Sequence, residues 1–270
     1  MTAQHTAQRS ARANVLGVGV HATDLPGAVK VIEGAVQAGT RGYVCVTSVH
    51  GIMEARRNKE FHKILSRALL VTPDGMPTVW IGRIQGHAQM RRVFGPDLMM
   101  EICARAPENH IRHFLYGGTP GVADELAANL KRMVPGITIA GTFTPPFRAL
   151  DSFEYEALEK EMEATRPDIV WVGLSTPKQE KFMADNIGRL PCTVMIGVGA
   201  AFDIHTGRVK DAPSWMKNAG LQWAHRCCQE PRRLWKRYLV NNSAFIGALG
   251  LQLTGLRRYP LPPDHTETSS

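Results

Sequence analysis

The chain lacks an apolar segment at its start, any Cys-x-x-Cys pair, any Asp-x-Asp pair and any internal repeat. Each absence excludes something. The polar stretch Met1–Ala13 offers no secretory signal, and a disordered leader is expected over residues 1–13. The five cysteines are Cys45, Cys103, Cys192, Cys227 and Cys228. With no Cys/His set at zinc-ligand spacing, they read as free thiols of a reducing cytoplasmic compartment. His110 and His113 are three apart and lead into a strand, and no metal site is expected there. The missing Asp-x-Asp removes a carboxylate pair that would hold a divalent cation on a diphosphate. The apolar stretch Ala244–Leu253 is only ten residues long, too short to span a bilayer.

What is present is a basic chain of 270 residues, 44% hydrophobic, with 32 Lys and Arg against 24 Asp and Glu. That length accommodates one large α/β domain, or a domain with an appendage. The charge balance points to an anionic partner: nucleotide phosphate, nucleic acid or an anionic membrane surface. The basic residues concentrate near the C-terminus without a recognised nucleic-acid module, so nucleic acid is not expected as a partner.

Strand and helix signals alternate from Val15 to Ile196. Strands are expected at Val15–Val20, Tyr43–Thr47, Leu69–Thr72, Ile111–Tyr116, Ile137–Thr142, Asp168–Gly173 and Cys192–Ile196. Helices are expected between them, among them Asp24–Ala38, one stretch over Val49–Leu65, and Val122–Met133. Such alternation implies an α/β fold: a Rossmann-like parallel sheet with helices on both faces. The strand signals stop near Gly207. The division expected is a catalytic core over 14–207, a helical, basic, membrane-facing appendage over 208–258, and a disordered tail over 259–270. A C-terminal helix packed on the core competes evenly with a helix lying in the membrane interface.

In an open parallel sheet, ligands bind at the carboxyl ends of the strands. Gly197-Val-Gly199 follows the last strand and lets the backbone turn sharply near a ligand. A dinucleotide fingerprint needs a third glycine where this chain has Phe202, which argues against a nicotinamide cofactor. A nicotinamide-dependent oxidoreductase and a non-enzymatic membrane assembly factor stand as the alternative readings.

Several side chains fall at strand ends. Asp74, between Pro73 and Gly75, is placed as a general base or as a helix cap. Thr47, Ser48 and His50 can orient a substrate hydroxyl, or merely cap. Gly118 lies in a Gly-Gly-Thr-Pro-Gly loop able to cradle phosphate. Lys178, Gln179 and Glu180 open a helix facing the strand ends, and Asp203 ends the glycine turn. Arg226 and Arg233, seven residues apart, are expected on one helical face continued by Lys236 and Arg237. These cations can offset the charge of a diphosphate without a metal.

The motifs Thr72-Pro-Asp-Gly-Met-Pro77, Arg91-Arg-Val-Phe-Gly-Pro-Asp-Leu98 and Gly173-Leu-Ser-Thr-Pro-Lys-Gln-Glu180 occur in that order. Gly197-Val-Gly-Ala-Ala-Phe-Asp203, Ala212-Pro-Ser-Trp215, Gly220-Leu-Gln-Trp223 and Glu230-Pro-Arg-Arg233 follow. Together they resemble the WecG/TagA/CpsF family of bacterial glycosyltransferases from about Leu16 to Arg237. The resemblance implies an inverting hexosyltransferase working at the cytoplasmic membrane face. It would move a sugar from a UDP-sugar to an undecaprenyl-diphosphate-linked glycan intermediate, in exopolysaccharide or other envelope polysaccharide synthesis. It implies that Asp74 is the base, that Thr47 contacts substrate, and that Arg92 joins the substrate site. Gln179 and the Gly197–Asp203 loop would line the UDP site, with the C-terminal arginines closing over the diphosphate. No metal or other cofactor is expected, and a homo-oligomer stays open as a further partner. Ser48, Gln222 and Lys236 depart from the family's common residues, and the extension beyond Val240 is longer than in a minimal member.

Overall fold

The computed structural model describes residues 11–262, the side chains of Arg233 and Arg237 excepted. The chain opens with an antiparallel hairpin, β1 (Arg12–Val15) and β2 (Val18–His21). One strand was expected over Val15–Val20, but Leu16 and Gly17 both take positive φ, 55° and 89°, and reverse the chain. Arg12 and Ala13 are therefore strand rather than leader, with Ala13 fully buried. Residues 1–10 of the expected leader lie outside the described residues.

The core then alternates as expected. Helix α1 (Leu25–Gln37) starts where the Asp24 carboxylate accepts the Gly27 N–H at 2.9 Å. It leads to β3 (Gly42–Thr47). The single helix expected over Val49–Leu65 is two, α2 (Val49–Arg57) and α3 (Lys59–Arg67). Asn58 divides them. Its backbone is extended, and its side-chain oxygen accepts from the Glu60 and Phe61 N–H groups at 2.9 and 3.1 Å, so it caps a new helix.

There follow β4 (Leu70–Pro73), α4 (Met76–Ile84), α5 (Gly95–Asn109), β5 (Arg112–Gly117) and α6 (Val122–Met133). Next come β6 (Thr138–Phe143), α7 (Ser152–Thr165), β7 (Ile169–Gly173), α8 (Lys178–Asn186) and β8 (Val194–Gly197). The chain ends in helices: α9 (Ala201–His205), α10 (Ser214–Asn218), α11 (Gln222–Gln229) and α12 (Pro231–Leu253).

Six strands form one parallel sheet in the order β4-β3-β8-β7-β5-β6. Alternate residues serve opposite faces. Val44 and Val46 of β3 pack with α1, α5 and α6, while Tyr43 and Cys45 pack with α2, α3, α7 and α8. Burial on both faces explains the nearly continuous apolar strand runs. His113 and Trp171 are both within this core: the Trp171 indole N–H donates to His113 Nδ1 at 3.0 Å, and burial pushes the His113 pKa down to about 4.

The C-terminal helices are not a detached appendage. Helix α12 lies on α2 and sends Phe245 and Ala248 into the core. At its C-terminal end, the Gln252 side-chain oxygen accepts from the Leu16 N–H at 3.0 Å. The Tyr259 carbonyl accepts from Asn14 Nδ2 at 2.8 Å, and the Arg56 guanidinium covers the Tyr259 ring. Tyr259 thus belongs to the fold, not to a disordered tail, while residues 263–270 of that expected tail lie outside the described residues. Phe245, Ala248 and Gln252 answer the question left by Ala244–Leu253: one side of that stretch packs on the core, although Ile246 and Leu253 remain exposed.

Candidate active site

The carboxyl ends of β3, β4 and β8, together with α4, α11 and α12, enclose a cleft of about 1000 Å³. Asp74 stands at its base, one residue beyond β4. Its backbone N–H donates to the Thr47 carbonyl at 3.1 Å, which fixes the end of β4 against β3. It does not cap α4. The N-cap is Gly75, whose carbonyl accepts from the Thr78 N–H at 3.1 Å. The Asp74 residue is half-buried, but its Oδ1 is enclosed and has no hydrogen-bond partner. Burial raises its pKa to about 7, the charge of Arg92 pulls it back, and Asp97 pushes it further up. A carboxylate with a pKa near the working pH, facing a cleft, can take a proton from a substrate.

Arg92 reaches the cleft from the segment before α5. One arm donates to the Gln222 side-chain oxygen at 2.5 Å, another lies 3.8 Å from an Asp97 oxygen, and the guanidinium covers the Phe94 ring. Its nearest partner is a neutral amide on α11, and the Asp97 carboxylate offsets its charge only from the longer distance.

The β8 turn forms the adjoining wall. Gly199 has φ of 55°, and its N–H donates to Gln179 Oε1 at 3.1 Å. Gln179 Nε2 in turn donates to Glu180 Oε1 at 3.1 Å, which also accepts from the Thr176 hydroxyl at 2.8 Å. Glu180 therefore orients Gln179 from behind, and burial raises its own pKa. Phe202 fills the place where a dinucleotide turn keeps room. Its ring lies so close to Gly173 that a Cβ there would meet it at 2.8 Å.

Arg226 enters from α11. One of its nitrogens donates to Glu230 at 2.8 Å, and another, Nη1, is enclosed without a partner. A guanidinium held by one carboxylate, with a donor left over beside a cleft, is suited to an anion.

Of the residues expected from sequence, Asp74, Ser48, His50, Arg92, Gln179, Gly199 and Arg226 line this cleft. Others do not. Thr47 is buried beneath α2, with its methyl near Gly51 and its hydroxyl donating to the Cys45 carbonyl at 3.2 Å. Strand alternation turns it away from the wall that carries Ser48. Gly118 makes room for Val122 and the Phe202 ring instead of cradling a ligand. Lys178 points to solvent, Glu180 lies behind Gln179, and Gly197 is packed against Met183 and Gln179. Asp203 stands off the wall, where its carbonyl accepts from the Val209 N–H at 3.0 Å. Lys236 is exposed, and the side chains of Arg233 and Arg237 lie outside the described residues. Arg226 and Arg233 do not share one helix: the chain breaks at Glu230 (φ −130°, ψ 59°), which places them on α11 and α12.

Two contributors are not foreseen by sequence. Gln222 meets Arg92 across 130 residues, and Asn241 meets His50 across 191, separations that no local spacing reports. The aromatic wall of Trp80, Trp223 and Trp235 was more accessible. Tryptophans interleaved with arginine in an otherwise basic helical segment are a readable sign of a surface with an apolar partner.

Comparison with known proteins gives the family. The model for the "Glycosyl transferase WecG/TagA/CpsF family" matches residues 13–259. An N-acetylglucosaminyldiphosphoundecaprenol N-acetyl-beta-D-mannosaminyltransferase of Bacillus subtilis is 31% identical over 216 residues, 79% of this chain and 81% of that one. A protein of the same description from Bacillus spizizenii is 32% identical over 186 residues, 69% of this chain and 70% of that one.

Proposed function

The chain belongs to the WecG/TagA/CpsF family and is a glycosyltransferase, and from that premise we propose that it transfers a sugar from a UDP-sugar to a lipid-diphosphate-linked glycan intermediate. The two relatives are named for an acceptor of this kind. The observation that carries the reading is Asp74, an enclosed carboxylate with a pKa of about 7 at the base of the cleft. As the carboxylate, it takes the proton from the acceptor hydroxyl. The acceptor oxygen then bonds to the anomeric carbon as the bond to the UDP oxygen breaks, and attack from the opposite side inverts that centre. The negative charge on the departing diphosphate falls to Arg226, whose Nη1 is uncommitted, and to Arg92. Cations from the chain take this role in a mechanism without a metal, which the lack of an Asp-x-Asp pair supports. Gly199 and Gln179 line the side of the cleft suited to the nucleotide.

The same reading places the enzyme peripherally on the cytoplasmic face of the membrane, serving envelope polysaccharide synthesis. Among the described residues no helix is long and apolar enough to cross a membrane. The cleft mouth, however, carries exposed Trp235, Leu239 and Ile246 beside exposed Arg232 and Lys236. An apolar face flanked by basic residues favours an anionic lipid surface.

The test is UDP release across a panel of UDP-sugars, with an N-acetylhexosamine-diphospholipid acceptor and with excess chelator present. Acceptor-dependent UDP release with at least one donor is expected. No release with any donor overturns the reading, and release that is lost with chelator and restored by magnesium or manganese overturns its metal-free part.

A further inference from the structure

The wall of the cleft that α12 provides is largely apolar: Trp235, Leu239, Phe245 and Ile246 all face it. Asn241, Asn242 and Ser243 interrupt that wall, and of these Asn241 is the buried one. It is 4% exposed, and its Nδ2 lies 3.0 Å from Nδ1 of His50, at the start of α2. Its Oδ1 is enclosed and has no partner. The amide nitrogen faces His50, and the oxygen is left without a donor. An unpaired buried amide atom costs about 1–3 kcal/mol. A hydrophobic residue at this position would avoid that cost, so stability alone does not account for an asparagine beside the cleft.

We infer that Asn241, oriented by His50, is a specificity-determining residue that hydrogen-bonds the acetamido group of the acceptor sugar. An acetamido group offers both an N–H and a carbonyl, so it completes Asn241 in either orientation of the amide. The acceptor is chosen over the donor because of where Asn241 sits. The helix that carries it also carries the exposed apolar side chains at the cleft mouth, and of the two substrates only the acceptor has a lipid to bring there. The nucleotide side of the cleft, at Gly199 and Gln179, is built from β8 and α8.

This inference rests on the proposed transfer to a lipid-diphosphate acceptor, and its test keeps the two separate. Initial rates are measured for wild type and Asn241→Leu with two acceptors: an N-acetylhexosamine-diphospholipid, and the same lipid whose sugar has a hydroxyl in place of the acetamido group. For wild type, the acceptor KM should be lower with the acetamido compound by about 10-fold or more, the range for one site group left unpaired. Asn241→Leu should raise KM for that compound by a similar factor, change kcat by less than about threefold, and have little effect on the hydroxyl compound. The donor KM should not move. Equal losses on both acceptors, or a wild type that does not discriminate between them, overturns the inference while leaving the transferase reading intact. A wild type that transfers to neither compound overturns the reading on which it rests, and the inference with it. Should Asn241→Leu fail to fold, Asn241→Ser is put through the same four-way comparison, with the same outcomes.

Discussion

At the floor of the cleft, Asp74 and Gln179 rise from parallel strands and a helix whose neighbours Thr47, Thr72 and Val198 are at most 5% exposed. Across from them on α12, Trp235, Leu239 and Ile246 keep 53%, 61% and 68% of their surface exposed. The floor is the carboxyl edge of a two-faced sheet, where backbone hydrogen bonding and burial leave side chains little freedom. The roof is formed by α11 and α12, and α12 is anchored along one side by Phe245, Ala248 and Gln252. The chemistry is divided between them. On the proposed mechanism the base, Asp74, belongs to the floor, and Arg226 and Asn241 belong to the roof. Gln222 joins the two through Arg92, the cation nearest in charge to the base. The base's environment is therefore complete only when the C-terminal helices are seated. Substitutions on the floor should remove the chemical step, and those on the roof should remove charge stabilisation and surface attachment.

The largest effect is expected at Asp74. Asp74→Asn should lower kcat by about 10²–10⁴-fold, the usual contribution of general-base catalysis, while UDP binding measured by calorimetry stays near wild type. In the wild type, activity should fall as the pH drops below about 7, because the base must be ionised to accept a proton. A mutant that keeps more than about a tenth of wild-type turnover would remove the base from the floor. Next in size is Arg226→Ala, expected to cost about 10²-fold in turnover, as for loss of one preorganised donor to developing charge. Arg226→Lys should recover only part, since an ammonium cannot both hold Glu230 and direct a second donor into the cleft. Normal turnover on soluble acceptor with failure only on membranes would move Arg226 from leaving group to lipid.

Legibility in the sequence follows the same division. Asp74 and Gly199 were readable because each follows a strand signal closely, and Gln179 because it opens the helix after one; the sheet rule does the rest. The alternation also predicted the parallel sheet, since burial on both faces leaves an unmistakable apolar run. Thr47 and Ser48 were read together, and the strand's two-residue period separates them: Ser48 lines the cleft and Thr47 is buried. The seven-residue spacing of Arg226 and Arg233 assumed one unbroken helix, and the turn at Glu230 and Pro231 breaks it. Gln222 and Asn241 were invisible because their partners lie more than a hundred residues away, and tertiary docking of a helix leaves no local periodicity.

A smaller effect tests the roof as a surface. Leu239→Ser with Ile246→Ser should weaken co-sedimentation with anionic vesicles by about 10-fold or more, given about 1.5–3 kcal/mol for full burial of each side chain and only partial burial in an interface. Both residues are exposed, so the melting temperature should not fall. Removing residues 238–270 is a poorer test, because it also removes Phe245 and Ala248 from the core. Unchanged sedimentation of the double variant would leave the roof as a cover for the cleft and nothing more.

The last effect is on stability, the cost of holding the base. In the folded protein the Asp74 pKa is raised to about 7, against an ordinary aspartate value of 3.8. Below the lower value the residue is protonated both folded and unfolded, and its titration costs nothing. As pH rises between the two values, the unfolded chain releases its proton first. Stability therefore falls across that window and levels off above about 7. Asp74→Asn removes the ionisation, so the variant should melt higher than wild type at pH 8 and lose that advantage toward pH 4. The value of about 7 already includes the offset by Arg92, and a rise of that size is worth at most about 4 kcal/mol at pH 8, or on the order of 10 °C for a chain of this size. Every other titrating group is common to both proteins, and the difference between their melting curves isolates this one. A difference that is the same at pH 5 and pH 8 would mean that Asp74 ionises as readily folded as unfolded, and the floor would then hold an ordinary surface carboxylate. A difference that grows with pH, in a variant that no longer transfers sugar, would show that the site gives up stability to keep a base ready to ionise near neutrality.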